Sequence, residues 1–317
     1  MRGLSGGFPL KTMAKSVAAA AALLALAACR SPADPTAAFA GPTVAGEMAD
    51  PRNGEASGLA ASPRAPGLLW THEDSDGATA LYALDAHGAR RGRIRIEGVA
   101  NTDWEDIAAF TAGGRAWICI GDIGDNNAVR PSITLHFIGE PDPALLRPDG
   151  EIIVRPAYSL QVIYEDGARD CESLAVDPRE GMVYLLSKRE AVPRLYRLPL
   201  GPDHRTVVAR KVGEMPHAPK PNEAQKLLKI PTGLYRAGPC AMDFAPDGSG
   251  AVVVTYGDVL YFPRAAGESW GDALARHPQV LGPHGLPQAE AGAFSRDGRS
   301  IFVCSEDSPK LLRYDRR

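Results

Sequence analysis

Apolar and polar positions along this chain recur in one order, five times over. Each unit opens with a short run of small and apolar residues: Ser57 to Pro63, Glu105 to Phe110, Glu172 to Pro178, Cys240 to Pro246, and Glu290 to Ser295. A Pro, Gly or Asp turn follows each one, and then a β-branched or aromatic run that ends in polar residues: Leu68 to Asp74, Ala116 to Asp122, Met182 to Arg189, Ala251 to Asp258, and Ile301 to Asp307. Third runs come next: Leu81 to Leu84, Ile133 to Ile138, Leu195 to Leu198, Leu260 to Phe262, and Leu311 to Tyr314. Four of the five units continue to a fourth run: Gly92 to Glu97, Tyr158 to Tyr164, Thr206 to Val212, and Gln279 to Leu281. Short apolar runs bounded by turn residues read as strands.

Groups of four strands repeated along a chain predict an all-β fold of the β-propeller type, with blades arranged around a central channel. A sandwich gives no reason to repeat one strand order five times. The fifth unit ends at Arg317 after three strands, and an orphan segment, Ala37 to Met48, precedes the first. The prediction is therefore a five-bladed propeller whose N-terminal strand closes the last blade. Six blades are the alternative, because Met215 to Pro239 has room for a degenerate hairpin. The 33 glycines and 27 prolines, spread among 317 residues, agree with many short elements joined by turns. Tyr82, Tyr196 and Tyr261, at matching third-strand positions, are expected to pack between blades.

The first 28 residues contain no acid, carry Arg2, Lys11 and Lys15, and then run almost unbroken in Ala and Leu from Ser16 to Ala28. This is a secretory signal pattern. The apolar run is too short for a bilayer span and ends in Leu26-Ala27-Ala28-Cys29, which resembles a bacterial lipobox with Cys29 as the lipidated residue. Residues 1–28 are thus expected to be a lipoprotein signal peptide, 29–53 a tether with a closing strand, and 54–317 the propeller. The expected location is the bacterial cell envelope, periplasmic or outer-surface, anchored to the membrane through lipidated Cys29. Without the three leader cations the formal charge moves from −3 to −6 and no basic run remains, which excludes nucleic acid as a partner. The domain is expected to be a monomer. Of the remaining cysteines, Cys119 and Cys304 sit in apolar runs that suit buried thiols, and neither CxxC nor Cys/His spacing points to zinc.

Aligned on their first strands, the units place Ser57, Glu105, Glu172, Cys240 and Glu290 at one position. Glu55, Asp103, Asp170, Gly238 and Gln288 stand two residues earlier. Residues two apart on a strand share a face, so these acids are expected at one mouth of the channel. The second-strand ends add His72, Asp122, Asp125 and Asp258, whereas the third unit offers Lys188 and Arg189. Crowded carboxylates need cations or protons, and Ca²⁺ or Mg²⁺ with oxygen ligands is the fitting partner. Glu105, Glu172, Glu290, Asp122 and Asp125 are the candidate metal ligands. Glu55, His72, Asp103, Asp170, Lys188, Arg189 and Asp258 are the candidate ligand-binding residues. Asp122 and Asp125, between glycines, also suit turns. Sequence signatures of a nucleophile elbow, a phosphate loop, a zinc protease or a dinucleotide site are absent.

The strings Asp103-Trp-Glu-Asp-Ile-Ala108, Gly121-Asp-Ile-Gly-Asp-Asn126, Arg130-Pro-Ser-Ile-Thr134, Gly167-Ala-Arg-Asp170 and Glu172-Ser-Leu-Ala175 resemble a family of secreted bacterial β-propeller proteins with no established activity. More distantly, the channel acids are similar to those of propeller phytases and gluconolactonase-like hydrolases, a likeness that implies a divalent metal, typically calcium, in the channel. The characteristic phytase motifs are not matched, and Cys240 interrupts the ring of acids. Two functions are therefore expected. The first is an envelope-anchored module that binds a ligand or protein partner at an acidic, metal-containing mouth. The alternative is a metal-dependent phosphate- or carboxylic-ester hydrolase, in which His72, Lys188 and Arg189 face an anionic substrate.

Overall fold

The computed structural model describes residues 37–48, 56–74, 78–226 and 235–317. The leader, Cys29 and Glu55 lie outside the described residues. The fold is all-β, and no helix among the described residues is long and apolar enough to cross a membrane.

Strand β1 (Thr43–Glu47) precedes a first unit of β2 (Ala56–Ala61), β3 (Leu68–Glu73), β4 (Ala80–Asp85) and β5 (Arg90–Ile96). The second unit comprises β6 (Trp104–Ala112), β7 (Arg115–Asp122), β8 (Ile133–Gly139) and β10 (Tyr158–Tyr164), while β9 (Glu151–Val154) crosses over to pair parallel with β5. The third contains β11 (Cys171–Asp177), β12 (Met182–Ser187), β13 (Arg194–Pro199) and β14 (Val207–Glu214). Parallel pairing of β10 with β14 joins it to the second unit as one eight-stranded sheet. The fourth consists of β15 (Pro239–Phe244), β16 (Gly250–Thr255), β17 (Val259–Pro263) and β18 (Gln279–Val280). Finally, β19 (Ala289–Phe294), β20 (Ser300–Ser305) and β21 (Ser308–Asp315) take β1 as their fourth strand, antiparallel to β21. The orphan segment thus covers the edge that β21 would otherwise expose, and Phe39, buried against Tyr261 and Phe294, anchors it.

Strand β9 was not anticipated, although its Ile152-Ile153-Val154 run has the β-branched character of a strand. Between β14 and β15 the described residues hold one short helix, Glu223–Lys226, and no strand.

Each unit's first strand is buried along nearly its whole length, whereas the outer β5 and β10 alternate buried and exposed positions. That difference is expected when one sheet edge lies inside and the other meets water. Five apolar clusters fill the gaps, each drawing on two consecutive units. The fifth joins Leu59 and Leu69 of the first unit to Ala291, Phe302 and Leu311 of the last. The first strands touch in the order β2, β6, β11, β15, β19 and back to β2.

Two carboxylates, buried Asp106 and half-buried Asp243, stitch these inner strands together. Asp106 on β6 accepts the backbone N–H of Leu174 on β11 (2.8 Å) and of Met242 on β15 (3.1 Å) through Oδ2, and that of Ile107 (2.9 Å) through Oδ1. Asp243 on β15 accepts the N–H of Phe294 on β19 (2.9 Å) and of Phe244 (2.8 Å). Burial pushes Asp106 well above the usual carboxylate range and Asp243 up to about 7, against the pull of these donors.

Two measurements check this stitching. Asp106→Ala, which strands two inter-unit N–H donors in a dry interior, is expected to lower unfolding free energy by about 3 kcal/mol in urea denaturation, and Asp106→Asn by less. Because Asp243 binds its proton more tightly folded than unfolded, stability should fall as pH rises from 4 to 7 and level off above. Replacing it by Asn should remove about 4 kcal/mol of that dependence.

Candidate functional site

The aligned position of the five units has one structural identity. In every first strand the pairing with its neighbour slips by one residue, between Ala56 and Gly58, Trp104 and Asp106, Cys171 and Ser173, Pro239 and Ala241, and Ala289 and Ala291. The skipped residues are Ser57, Glu105, Glu172, Cys240 and Glu290. Each is the extra residue of a β-bulge, a feature that bends the strand and re-aims a side chain away from the regular pleat. All five are buried. Simple alternation along the strand is thus interrupted at the very position where the acids sit.

The acids separate into two groups. In the first, single oxygens of Asp74, Asp103 and Glu105 all lie within 4.8 Å of one another. Glu105 is buried while Asp74 and Asp103 are partly exposed, and Ser57 Oγ donates to Glu105 Oε2 (3.3 Å). Gly124 closes the back of this group: a Cβ there would fall 2.3 Å from Glu105 Oε1 and 2.4 Å from Asp103 Oδ2. Burial, reinforced by the Glu172 and Asp74 carboxylates, pushes Glu105 well up, and burial also raises Asp103. Three carboxylates crowded in this way can hold a proton or a hard cation.

In the second group Glu172 ion-pairs with Lys188, whose Nζ also donates to Tyr256 Oη (2.8 Å) and lies 4.4 Å over that ring. Burial raises Glu172, with Lys188 pulling the other way. Burial opposes the charge on Lys188, but the acidic groups around it, the paired Glu172 carboxylate among them, hold it well above its ordinary value. The Cys240 thiol is pushed well up by burial, so it is protonated rather than thiolate. Glu290 acts on Glu172 and Cys240 through space and has no hydrogen-bond partner among the described residues.

Several other expected site residues are engaged in building the mouth. Asp122 pairs with Arg130 (2.6 Å) and accepts the Thr102 N–H (3.2 Å). Asp125 accepts the N–H groups of Val129 (2.9 Å) and Arg130 (2.8 Å), while its own N–H donates to Asp170 (3.0 Å). The Gly121–Asn126 loop therefore uses its aspartates as turn and latch residues, and neither belongs to the carboxylate trio. Asp170 also pairs with Arg189 (2.5 Å), which donates to Asn126. Asp258 is fully buried and held by Arg236 through two nitrogens (2.9 and 3.1 Å). His72 departs from its expected role of facing an anion. It is fully buried, with Nδ1 against the Glu73 carbonyl (2.8 Å) and its ring edge-on to Trp104 (5.9 Å). Burial lowers it to about 4, so it is neutral at pH 7.

Three residues of consequence were not among the candidate site residues. Asp74, which ends the second run of the first unit as Asp122 and Asp258 end theirs, joins the trio from the end of β3. Asp106 and Asp243 did carry a signal, an Asp inside an otherwise small and apolar strand, which is tolerable only where backbone donors await it. No protein-family model matches the chain, and no characterised protein matches it significantly.

The Glu172–Lys188 pair lends itself to a direct check. Lys188→Met is expected to cost about 3 kcal/mol of stability. The loss should be larger at pH 8 than at pH 5, because the orphaned Glu172 binds its proton more tightly folded than unfolded. Paired thermal melts at the two pH values read this difference.

Proposed function

We propose that this protein is an envelope-anchored, five-bladed β-propeller that binds a divalent cation, Ca²⁺ in preference to Mg²⁺, at its acidic mouth and uses that mouth to hold a small-molecule or protein ligand. The cycle of inner-strand contacts, the five inter-unit cores and the capture of β1 by β21 support the five-bladed reading. The charged leader with its apolar run and Cys29 supports export and lipid anchoring.

The observation that carries the cation is the trio of Asp74, Asp103 and Glu105, with Gly124 leaving the space behind them to oxygen atoms. Carboxylates on two separate segments, Asp74 after β3 and Asp103 with Glu105 at the start of β6, suit the flexible, oxygen-rich coordination of Ca²⁺ better than the strict octahedron of Mg²⁺. Glu172 is excluded from this set by Lys188, and Asp122 and Asp125 by their own partners. The hydrolase alternative has no separate observation in its favour. Lys188 is taken by Glu172, His72 is neutral and buried, and the Cys240 thiol is protonated.

Calorimetric titration of the chelator-treated protein tests the cation. Ca²⁺ is expected to bind, and at a hundredfold excess over its Kd to stabilise the fold by about 2.7 kcal/mol. Affinity should fall by up to tenfold per pH unit on acidification, since Glu105 must give up a proton to the ion. Asp103→Asn combined with Glu105→Gln should abolish both effects. No heat and no change in melting temperature with either ion would overturn the cation site. Cation-dependent turnover of chromogenic phosphate or carboxylic esters would replace the binding reading with the hydrolase.

A further inference from the structure

At the far ends of the same inner strands the chemistry is of another kind. A cavity of about 370 Å³ opens there, and all five first strands contribute to its wall. Where the near mouth carries carboxylates, this one presents Ala60, Ala108, Val176, Phe244 and Phe294. Its rim is one equivalent position of the repeat, at or just past the end of each first strand: Pro63, Thr111, Pro178, Pro246 and Arg296. Four are uncharged, and the fifth breaks the pattern with a guanidinium.

The charges at this rim are unequally committed. Arg179 also lines the cavity, but Asp177 takes its Nε (3.2 Å) and the Asp247 carbonyl its Nη1 (2.5 Å). Asp243, the one carboxylate in the lining, gives its oxygens to the N–H groups of Phe244 and Phe294. Arg296 is exposed, and its only hydrogen-bond partner among the described residues is the Arg64 carbonyl (3.3 Å). The cavity therefore combines an apolar, partly aromatic wall with one cation whose donors are largely unspent. A pocket of a few hundred Å³ that offers apolar and aromatic side chains together with a few polar groups is a usual form of a small-molecule site, and arginine favours a carboxylate through paired N–H donors.

We infer that this second mouth is a binding site for a small organic monoanion, an apolar or aromatic body seated among the alanines and phenylalanines with its carboxylate on Arg296. The site is independent of the cation at the opposite mouth, being separated from it by the length of the inner strands. The protein thus has two chemically opposite faces along one axis, one acidic and one apolar with a cationic edge.

The test is calorimetric titration of the full chain with 4-phenylbutyrate and, in parallel, with the uncharged 4-phenylbutanol. The acid is expected to bind about tenfold more tightly than the alcohol, the difference that a charge-assisted hydrogen bond supplies. Arg296→Gln, at an exposed turn, should bring the acid down to the level of the alcohol. Ala109→Phe, at a half-buried position of the wall, should block both. Equal binding of acid and alcohol, no binding of either, or binding of the acid that neither substitution changes would overturn the site.

Discussion

A carboxylate in a dry interior must find donors, and in this protein that requirement organises the centre. Asp106 cannot be solvated, so its oxygens reach the backbone of two other inner strands, β11 and β15. Asp243 extends the chain of contacts to β19. The N–H groups involved are ones that a strand at the edge of its sheet has no neighbouring strand to satisfy. A single acid thereby answers a deficit shared by three inner strands, and sets how closely they approach. Apolar packing between units supplies most of the cohesion, but it is non-directional. The carboxylate bonds are what give the inner strands a definite relative height.

That relative height is a condition for the site. The five bulges lie at one level only if their strands are in register with one another, and only then do acids distant in sequence come near each other. Once there, they cannot all ionise. Lys188 neutralises Glu172 from within, and the Ser57 hydroxyl donates to Glu105. Arg130, Arg189 and Arg236 neutralise Asp122, Asp170 and Asp258 in the surrounding loops. Much of the negative charge gathered here is therefore already balanced by side chains of the protein.

The run of strands was legible in the sequence because strand formation is governed by neighbours: small and β-branched residues in short runs, punctuated by turns such as Asp247-Gly248 and Asp297-Gly298 with their positive-φ glycines. The seat of β1 was legible for a related reason, since the last unit lacked a strand and an orphan was left over. The partners of individual acids were not. Asp122 and Asp125 looked like ligands because they are acids beside glycines, yet the same features make a tight loop whose aspartates cap its own N–H groups. His72 looked like a mouth residue because it ends a second strand, but burial against Trp104 makes it a neutral packing group.

From sequence alone came the all-β composition, the repeated order of strands and the identity of the aligned position that carries Glu105, Glu172 and Glu290. All three depend on local propensity and on repetition, which a linear text records. Tertiary structure decided which carboxylates meet and which are neutralised. Those outcomes turn on ångström-scale approach between segments tens to hundreds of residues apart, on bulges that redirect a side chain, and on desolvation, none of which is a property of any one stretch of chain.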